Sequence, residues 1–329
     1  LGETVARHER FGTATVTLDE TAPDGSPVTV DVARARTESY PQPGALPEVS
    51  WTSAAEDLRR RDVSVNAIAL RPDGTLLGVD GALEDLEAGV LRVLHDRSFA
   101  DDPTRLWRVA RYAARLGFTV EERTAQLARR ADVRTVSGPR LGSELRLALL
   151  EPDPLAALRA AAGLHAGLLV AGLDVDPPRL PAALALLAGI PGTRTDLVTL
   201  GACARTVDAA ALVTWLNDLG FSSADLDIVA AGSRASTHMP LVNARTPTQI
   251  ARAARGVPLE VVALAGGEAA RRWIEELRHV RLAITGDDLI AAGVAPGPEL
   301  GRRLQQALDA RLDGTLAPGA DAELRAALA

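Results

Sequence analysis

The sequence predicts an α+β chain: a small α/β head of about 95 residues, then an all-α remainder. Two observations carry this. β-Branched and alternating segments crowd the start, whereas from Ser98 onward apolar residues recur with helical period. Proline- and glycine-rich breaks ("VDPPRLP", "GIPGTRTD", "AGVAPGPELG") then divide the helical part.

Residues 11–18 and 27–33 read as strands joined by the turn "DETAPDGSP". "ARARTESYPQPGALPEVS" follows as a long proline-punctuated loop. "SAAEDLRRRD" reads as a short helix with Ser53 as N-cap and Glu56 three residues on, a capping-box pattern. "VSVNAIAL" reads as a strand turned by "RPDG", and "GALEDLEAG" as a short helix closed by Gly89. Helical periods then cover 103–117, 121–131, 140–150 and 153–164, with more helices to the end.

The chain has 329 residues, 47% of them hydrophobic, enough for two or more structural units with ample core. No apolar run reaches the ~20 residues that span a bilayer. No signal-peptide pattern follows Leu1, and a cytoplasmic protein with no membrane partner is expected. A single cysteine, Cys203, excludes an internal disulfide and a cysteine-based metal site. The 5 histidines have no zinc spacing. Formal charge is −7, and all 36 basic residues are arginine. A net acidic chain gives no global nucleic-acid signal, so any RNA contact must come from a local basic surface. Without lysine no Gly-x-x-x-x-Gly-Lys phosphate loop exists.

Three stretches could carry chemistry. In "DDPTRLWRVAR" Asp102 precedes Pro103, a good helix start. Arg105, Arg108 and Arg111 follow at three-residue steps, each drifting ~60° around the helix, so they share one side. Spacing alone favours a solvated arginine stripe. In "EDLRRRDVSVNAIAL" three arginines ending in Arg61 close a helix, and Asp62 enters a strand carrying Asn66. A buried amide must find partners, so Asn66 ties a loop or serves a site, the two readings about even. In "VTVDVARAR" Asp31 stands between valines on an expected central strand, where phosphoryl-transfer enzymes place a metal-holding carboxylate. It is also a common surface pattern.

In this order, "RFGTATV", "VDVARARTESY", "GALPEV", "EDLRRRDVSVNAIA", "FADDPTRLWRVARYAARLGF" and "GPRLGSEL" resemble the bacterial class II tRNA nucleotidyltransferase and poly(A) polymerase family of the polymerase-β-like superfamily. Ser64 stands where the family has threonine, and Asp101 where it has glutamate. Residues 284–304 resemble a C-terminal tail of many members. The resemblance implies an incomplete polymerase-β-like mixed sheet at 1–95, a helical neck at 96–165 with the nucleotide-template helix, a body at 166–275 and a tail at 276–329. It implies addition of C and A to tRNA 3′ ends from CTP and ATP, with Mg2+ as cofactor and the tRNA acceptor end as partner.

By resemblance, Asp102 and Arg105 form a protein template for the incoming base. The chemistry is independent of that origin. Cytosine and adenine both present an amino donor beside a ring-nitrogen acceptor. A carboxylate accepts from the first while a guanidinium donates to the second; guanine and uracil reverse both contacts. Buried polar groups left unpaired discriminate far better than shape. Arg108, Arg111 and Arg61 would meet base or triphosphate, where arginine's bidentate fork serves best, and Asp62 and Asn66 would fix ribose and loop. The family's Gly-Gly turn and metal-holding Asp-x-Asp pair are not found, and would lie upstream of Leu1. Asp31 is left as an auxiliary carboxylate. Three readings follow: an N-terminally truncated CCA-adding enzyme; a poly(A) polymerase or a CC- or A-adding enzyme; or a non-catalytic nucleotide- or tRNA-end-binding module or half of a split enzyme.

Overall fold

The computed structural model describes residues 3–9 and 12–329, which divide into two units, 1–169 and 170–329. Phe11, predicted to open the first strand, lies outside the described residues.

In the first unit, β1 (Glu3–His8), β2 (Thr13–Thr21) and β3 (Pro27–Ala33) form an antiparallel sheet in that order. The β2–β3 turn is tied by Asp24, which accepts from the Ser26 N–H and hydroxyl. Asp31 was expected on a central strand. Among the described residues β3 pairs only with β2, so Asp31 sits on an edge, exposed, and accepts from the Thr15 hydroxyl at 2.6 Å. The alternating valines misled, because Val30 and Val32 are exposed as well.

The predicted long loop holds a second antiparallel pair, β4 (Arg36–Ser39) and β5 (Glu48–Trp51). Its prolines fall only in the 40–47 connection, which is why they did not prevent pairing. Next come α1 (Ala54–Arg59), capped by the Ser53 hydroxyl, and a 3₁₀ turn at Ser64–Asn66. The "VSVNAIAL" strand is therefore shorter than expected: only Ile68–Leu70 (β6) is strand, paired with β7 (Leu76–Gly78). The break follows from Asp62, whose carboxylate takes the Val63 N–H and the Asn66 amide and folds the chain locally.

The helical expectations hold closely. After α2 (Ala82–Ala88), β8 (Val90–Leu91) and α3 (Ser98–Asp101) come α4 (Arg105–Leu116), β9 (Thr119–Val120, parallel to β8), α5 (Glu122–Arg129), α6 (Gly138–Leu149) and α7 (Pro154–Leu164). Helix α4 buries Leu106, Trp107, Val109 and Ala110 and packs on α6 and α7. Phe99, Leu91, Leu145 and Leu158 complete this core.

The second unit is all helix. Its helices are α8 (Leu180–Leu187), α9 (Thr195–Cys203), α10 (Ala209–Asp218), α11 (Ser223–Ser233), α12 (Ala235–Asn243), α13 (Pro247–Ala254), α14 (Leu259–Ala265), α15 (Gly267–Glu275), α16 (Gly286–Ala291), α17 (Pro298–Leu312) and α18 (Ala320–Leu328). Helix α14 buries Val261, Val262, Ala263 and Leu264 and packs against α8, α9, α11, α12 and α15. Gly232 permits that approach: a Cβ there would stand 2.7 Å from Leu264 Cδ1. Ile284, Leu289, Ala307 and Ala327 form a separate small core over the last helices. None of the described helices is long and apolar enough to cross a membrane.

Candidate functional site

One polar cleft of about 520 Å³ in the first unit gathers six of the eight singled-out residues: Arg61, Asp62, Asn66, Asp102, Arg105 and Arg108. Two are not brought there. Asp31 stays on the exposed sheet edge, and Arg111 lies behind the cleft between Glu151 Oε1 (2.9 Å from Nε) and Glu144 Oε2 (3.1 Å from Nη1).

The arginine stripe is not a solvated face. Arg105 is 5% exposed and Arg111 8%, and Arg108 is half-buried. Their helix starts two residues later than the proline implied, because Asp102 closes a turn before it. Asp102 Oδ1 accepts from the Thr104 N–H at 3.1 Å and the Thr104 hydroxyl at 2.7 Å. Arg140 Nη2 on α6 donates to the same atom at 3.0 Å. All described bonds to this carboxylate thus fall on Oδ1, and Oδ2 has no described partner.

Arg105 is a buried cation whose described partners are all neutral. Its Nη1 donates to the Ser98 hydroxyl at 2.9 Å, and its Nη2 to the Arg60 carbonyl at 2.9 Å and the Tyr40 hydroxyl at 3.5 Å. Three bonds leave two of about five guanidinium N–H groups without a described acceptor. A buried charge without a counter-ion is costly, and Asp102, whose Oδ2 has no described donor, lines the same cleft.

The opposite wall is an ion-pair frame. Asp62 is buried; Arg108 Nε donates to its Oδ2 at 2.6 Å, and the Asn66 amide to its Oδ1 at 3.0 Å. Burial pushes the Asp62 carboxyl up, but the Arg108 guanidinium and the amide donors outweigh it and hold it below the usual aspartate value. Arg108 also donates to the Tyr112 hydroxyl at 2.8 Å. Arg61 reaches the Asn66 carbonyl at 3.4 Å and Asp57 at 3.3 Å.

Six lining residues escaped the sequence reading, Arg60 and Thr104 beside the four that follow. Glu38 and Tyr40 line the cleft from the end of β4, inside a segment read as loop. Tyr40 donates to Glu38 at 3.0 Å, and burial drives its hydroxyl up to about 12. Tyr112 and Glu144 also line it, and each carried a signal, standing four residues beyond Arg108 and Arg140 on their helices. Burial raises the Glu144 carboxyl despite Arg108 and Arg111 nearby.

A carboxylate and guanidinium groups thus share one cleft, with Arg61 and Arg108 among its lining residues. Comparison with known proteins bears on the family. A family model described as the poly A polymerase head domain matches residues 1–92. The chain is 34% identical over 365 residues to the A-adding tRNA nucleotidyltransferase of Geobacter sulfurreducens, an alignment covering 100% of this chain and 40% of that protein. It is 37% identical over 316 residues to the CC-adding tRNA nucleotidyltransferase of Deinococcus radiodurans, covering 94% of this chain and 74% of that protein. The fold matches a CCA-adding enzyme in its apo form II, with a TM-score of 0.77 and 26% identity, over 99% of this chain and 81% of that one. The chain thus spans less than half of the Geobacter protein's length. On its motifs, its fold and these relatives, the chain belongs to the tRNA nucleotidyltransferase family.

Proposed function

We propose that this chain selects CTP or ATP for addition to the 3′ end of tRNA, with Asp102 and Arg105 reading the base. The observation that carries this is the division of labour on Asp102: among the described residues Oδ1 holds three donors and Oδ2 none, beside an Arg105 that no described carboxylate neutralises. Oδ2 accepts the amino N–H of cytosine or adenine, and Arg105 donates to the adjacent ring nitrogen. Guanine and uracil meet the carboxylate with a carbonyl oxygen, and both contacts become repulsive. Arg61 and Arg108 supply guanidinium donors for the phosphates, and Asn66 with Asp62 shapes the turn beside them. Arg111 acts one layer back, through Glu144.

The Deinococcus relative adds CC and the Geobacter relative adds A. One Asp/Arg reader serves either specificity, since it accepts both bases. Nucleotidyltransferases of this family generally use a divalent metal, and Mg2+ is the ion proposed for the whole reaction. Among the described residues no group of three His, Cys, Asp or Glu side chains could hold a metal. These residues do not form its site, so no step is derived through it. The proposed partner is the tRNA acceptor end, and the proposed location is the cytoplasm.

The test is equilibrium binding of all four ribonucleoside triphosphates to the chain by calorimetry. CTP and ATP are expected to bind at least tenfold more tightly than UTP and GTP. Equal affinity for all four would defeat the base-reading proposal.

A further inference from the structure

Strand β4 and the residue after it set Arg36, Glu38 and Tyr40 at two-residue steps, so the three share one face. The Glu38 side chain is 8% exposed and uses its two oxygens differently. Arg36 Nε and Nη2 both approach Oε1 at 3.0 Å, and Arg60 Nη1 donates to the same atom at 2.9 Å. Oε2 has one described donor, the Tyr40 hydroxyl at 3.0 Å. Guanidiniums from β4 and from the end of α1 therefore fix which way this carboxylate faces.

The consequence falls on Tyr40. A phenol has one hydrogen to give, and here it goes to Glu38. Burial pushes the hydroxyl up to about 12, so it stays protonated at neutral pH. Its oxygen is then only an acceptor toward its other neighbour, Arg105, whose Nη2 donates to it at 3.5 Å. Arg105 Nη2 also donates to the Arg60 carbonyl, and Nη1 to the Ser98 hydroxyl, both at 2.9 Å. Nη2 thus has both N–H groups committed, and the donors without a described acceptor are on Nε and Nη1. Two anchors leave a planar group free to pivot about the line between them; a third removes that freedom. The Tyr40 contact is the loosest of the three, and contacts of this kind tighten once a ligand is seated.

We infer that Tyr40 is a positioning residue for base selection: held by Glu38 as an acceptor toward Arg105, it sets the angle at which that guanidinium presents its unused N–H groups to the ring nitrogen. This role rests on the base reading above and supplies a reason for its selectivity. Uracil and guanine carry a carbonyl oxygen beside the ring N–H, and a guanidinium free to pivot swings onto it. A fixed guanidinium does not, so the rejected bases leave a buried donor unpaired. Tyr40 acts through Arg105 rather than on the base, and Glu38 acts through Tyr40.

The test is calorimetric binding of CTP and UTP to the whole chain across a cycle of Tyr40→Phe, Glu38→Gln and the double variant, with melting curves for each. Tyr40→Phe deletes one hydroxyl and is expected to lower the CTP-to-UTP affinity ratio about three- to tenfold, with little change in melting temperature. In Glu38→Gln the amide oxygen must stay on the two arginines, so its N–H groups face the hydroxyl and displace the tyrosine hydrogen toward Arg105. The ratio should fall at least as far. In the Tyr40→Phe background the same substitution should add little, because the hydroxyl it acts through is gone. An unchanged ratio in Tyr40→Phe would overturn this role, and so would an equal effect of Glu38→Gln in both backgrounds. A purely structural part for Tyr40 would weaken both nucleotides alike and lower the melting temperature, which overturns it too. If Glu38→Gln does not fold, Tyr40→Phe decides alone. Equal affinity for CTP and UTP in the wild type would instead defeat the base reading itself, and this role with it.

Discussion

Asp102 uses its two oxygens differently, and its local contacts explain why. Three donors converge on Oδ1, so an asparagine here must keep its oxygen there and turn its amide N–H toward the cleft. Asp102→Asn therefore exchanges an acceptor for a donor at the base edge with little change of shape. Arg140→Gln removes one of the three donors and is expected to raise the Kd for CTP and ATP about three- to tenfold while the melting temperature moves little. Unchanged affinity in that calorimetric comparison would remove Arg140 from the site's support. Asp62 tests the electrostatic frame. Its carboxyl is held below the ordinary value, so the folded chain binds that proton less tightly than the unfolded chain. The stability it contributes is whole above about pH 4 and lost as pH falls through the lowered folded value. Asp62→Asn should melt lower than wild type at pH 6, with the gap closing toward pH 3; a gap independent of pH would refute the assignment. Glu151, its side chain 2% exposed, joins Arg111 and Arg115. Glu151→Ala should cost about 3 to 5 kcal/mol in chemical denaturation and leave the preference for C and A over U and G intact. A loss of that preference would return Arg111 to the nucleotide itself.

The 40–47 segment couples elements of the first unit. Gly44 has φ +71°, its N–H donates to the Asp101 carbonyl at 3.2 Å, and its carbonyl accepts from Arg140 Nη1 at 2.8 Å. A Cβ at this position would lie 2.2 Å from the Thr135 carbonyl oxygen. Gly44→Ala is thus expected to cost about 1 to 3 kcal/mol and, by shifting Arg140, to weaken nucleotide binding as well. A variant of wild-type stability would show that the close approach is not needed. This element also marks the limit of what the sequence made legible. Helices α4 to α7 were readable because their apolar period and caps are local signals. The β4–β5 pair was not, since pairing across a proline-rich connection is set by tertiary contacts such as Asp57 accepting the Arg36 N–H at 3.0 Å. Asp31 failed for the related reason that alternation marks a strand without saying whether it is central. Asn66 was singled out with the tie and the site readings both open, but its 3₁₀ turn depends on the Asp62 side chain, which strand propensity ignores.

At the scale of the whole chain, two units are distinguished. The first holds the proposed base-edge reader, and the second is a helical unit built around α14. Leu264 is 1% exposed and meets both Gly201 and Gly232. Leu264→Ala should lower stability by about 2 to 5 kcal/mol without changing the ranking of the four nucleotides, as calorimetry of melting and binding can verify; a changed ranking would mean that the units do not divide the work. The ordered motifs made the candidate site legible, because six of its residues lie in stretches that carry the family resemblance. The different settings of the arginines in the second unit were not legible, because only the fold separates Arg278 and Arg281 from carboxylate-paired arginines such as Arg271. The central claim is that Asp102 and Arg105 read the base. Its most direct test is the ratio of CTP to UTP affinity in the wild-type chain and in Asp102→Asn, measured by calorimetry under one buffer. The account predicts a strong preference for CTP in the wild type that falls toward parity in the variant; a preference that survives the substitution would contradict it.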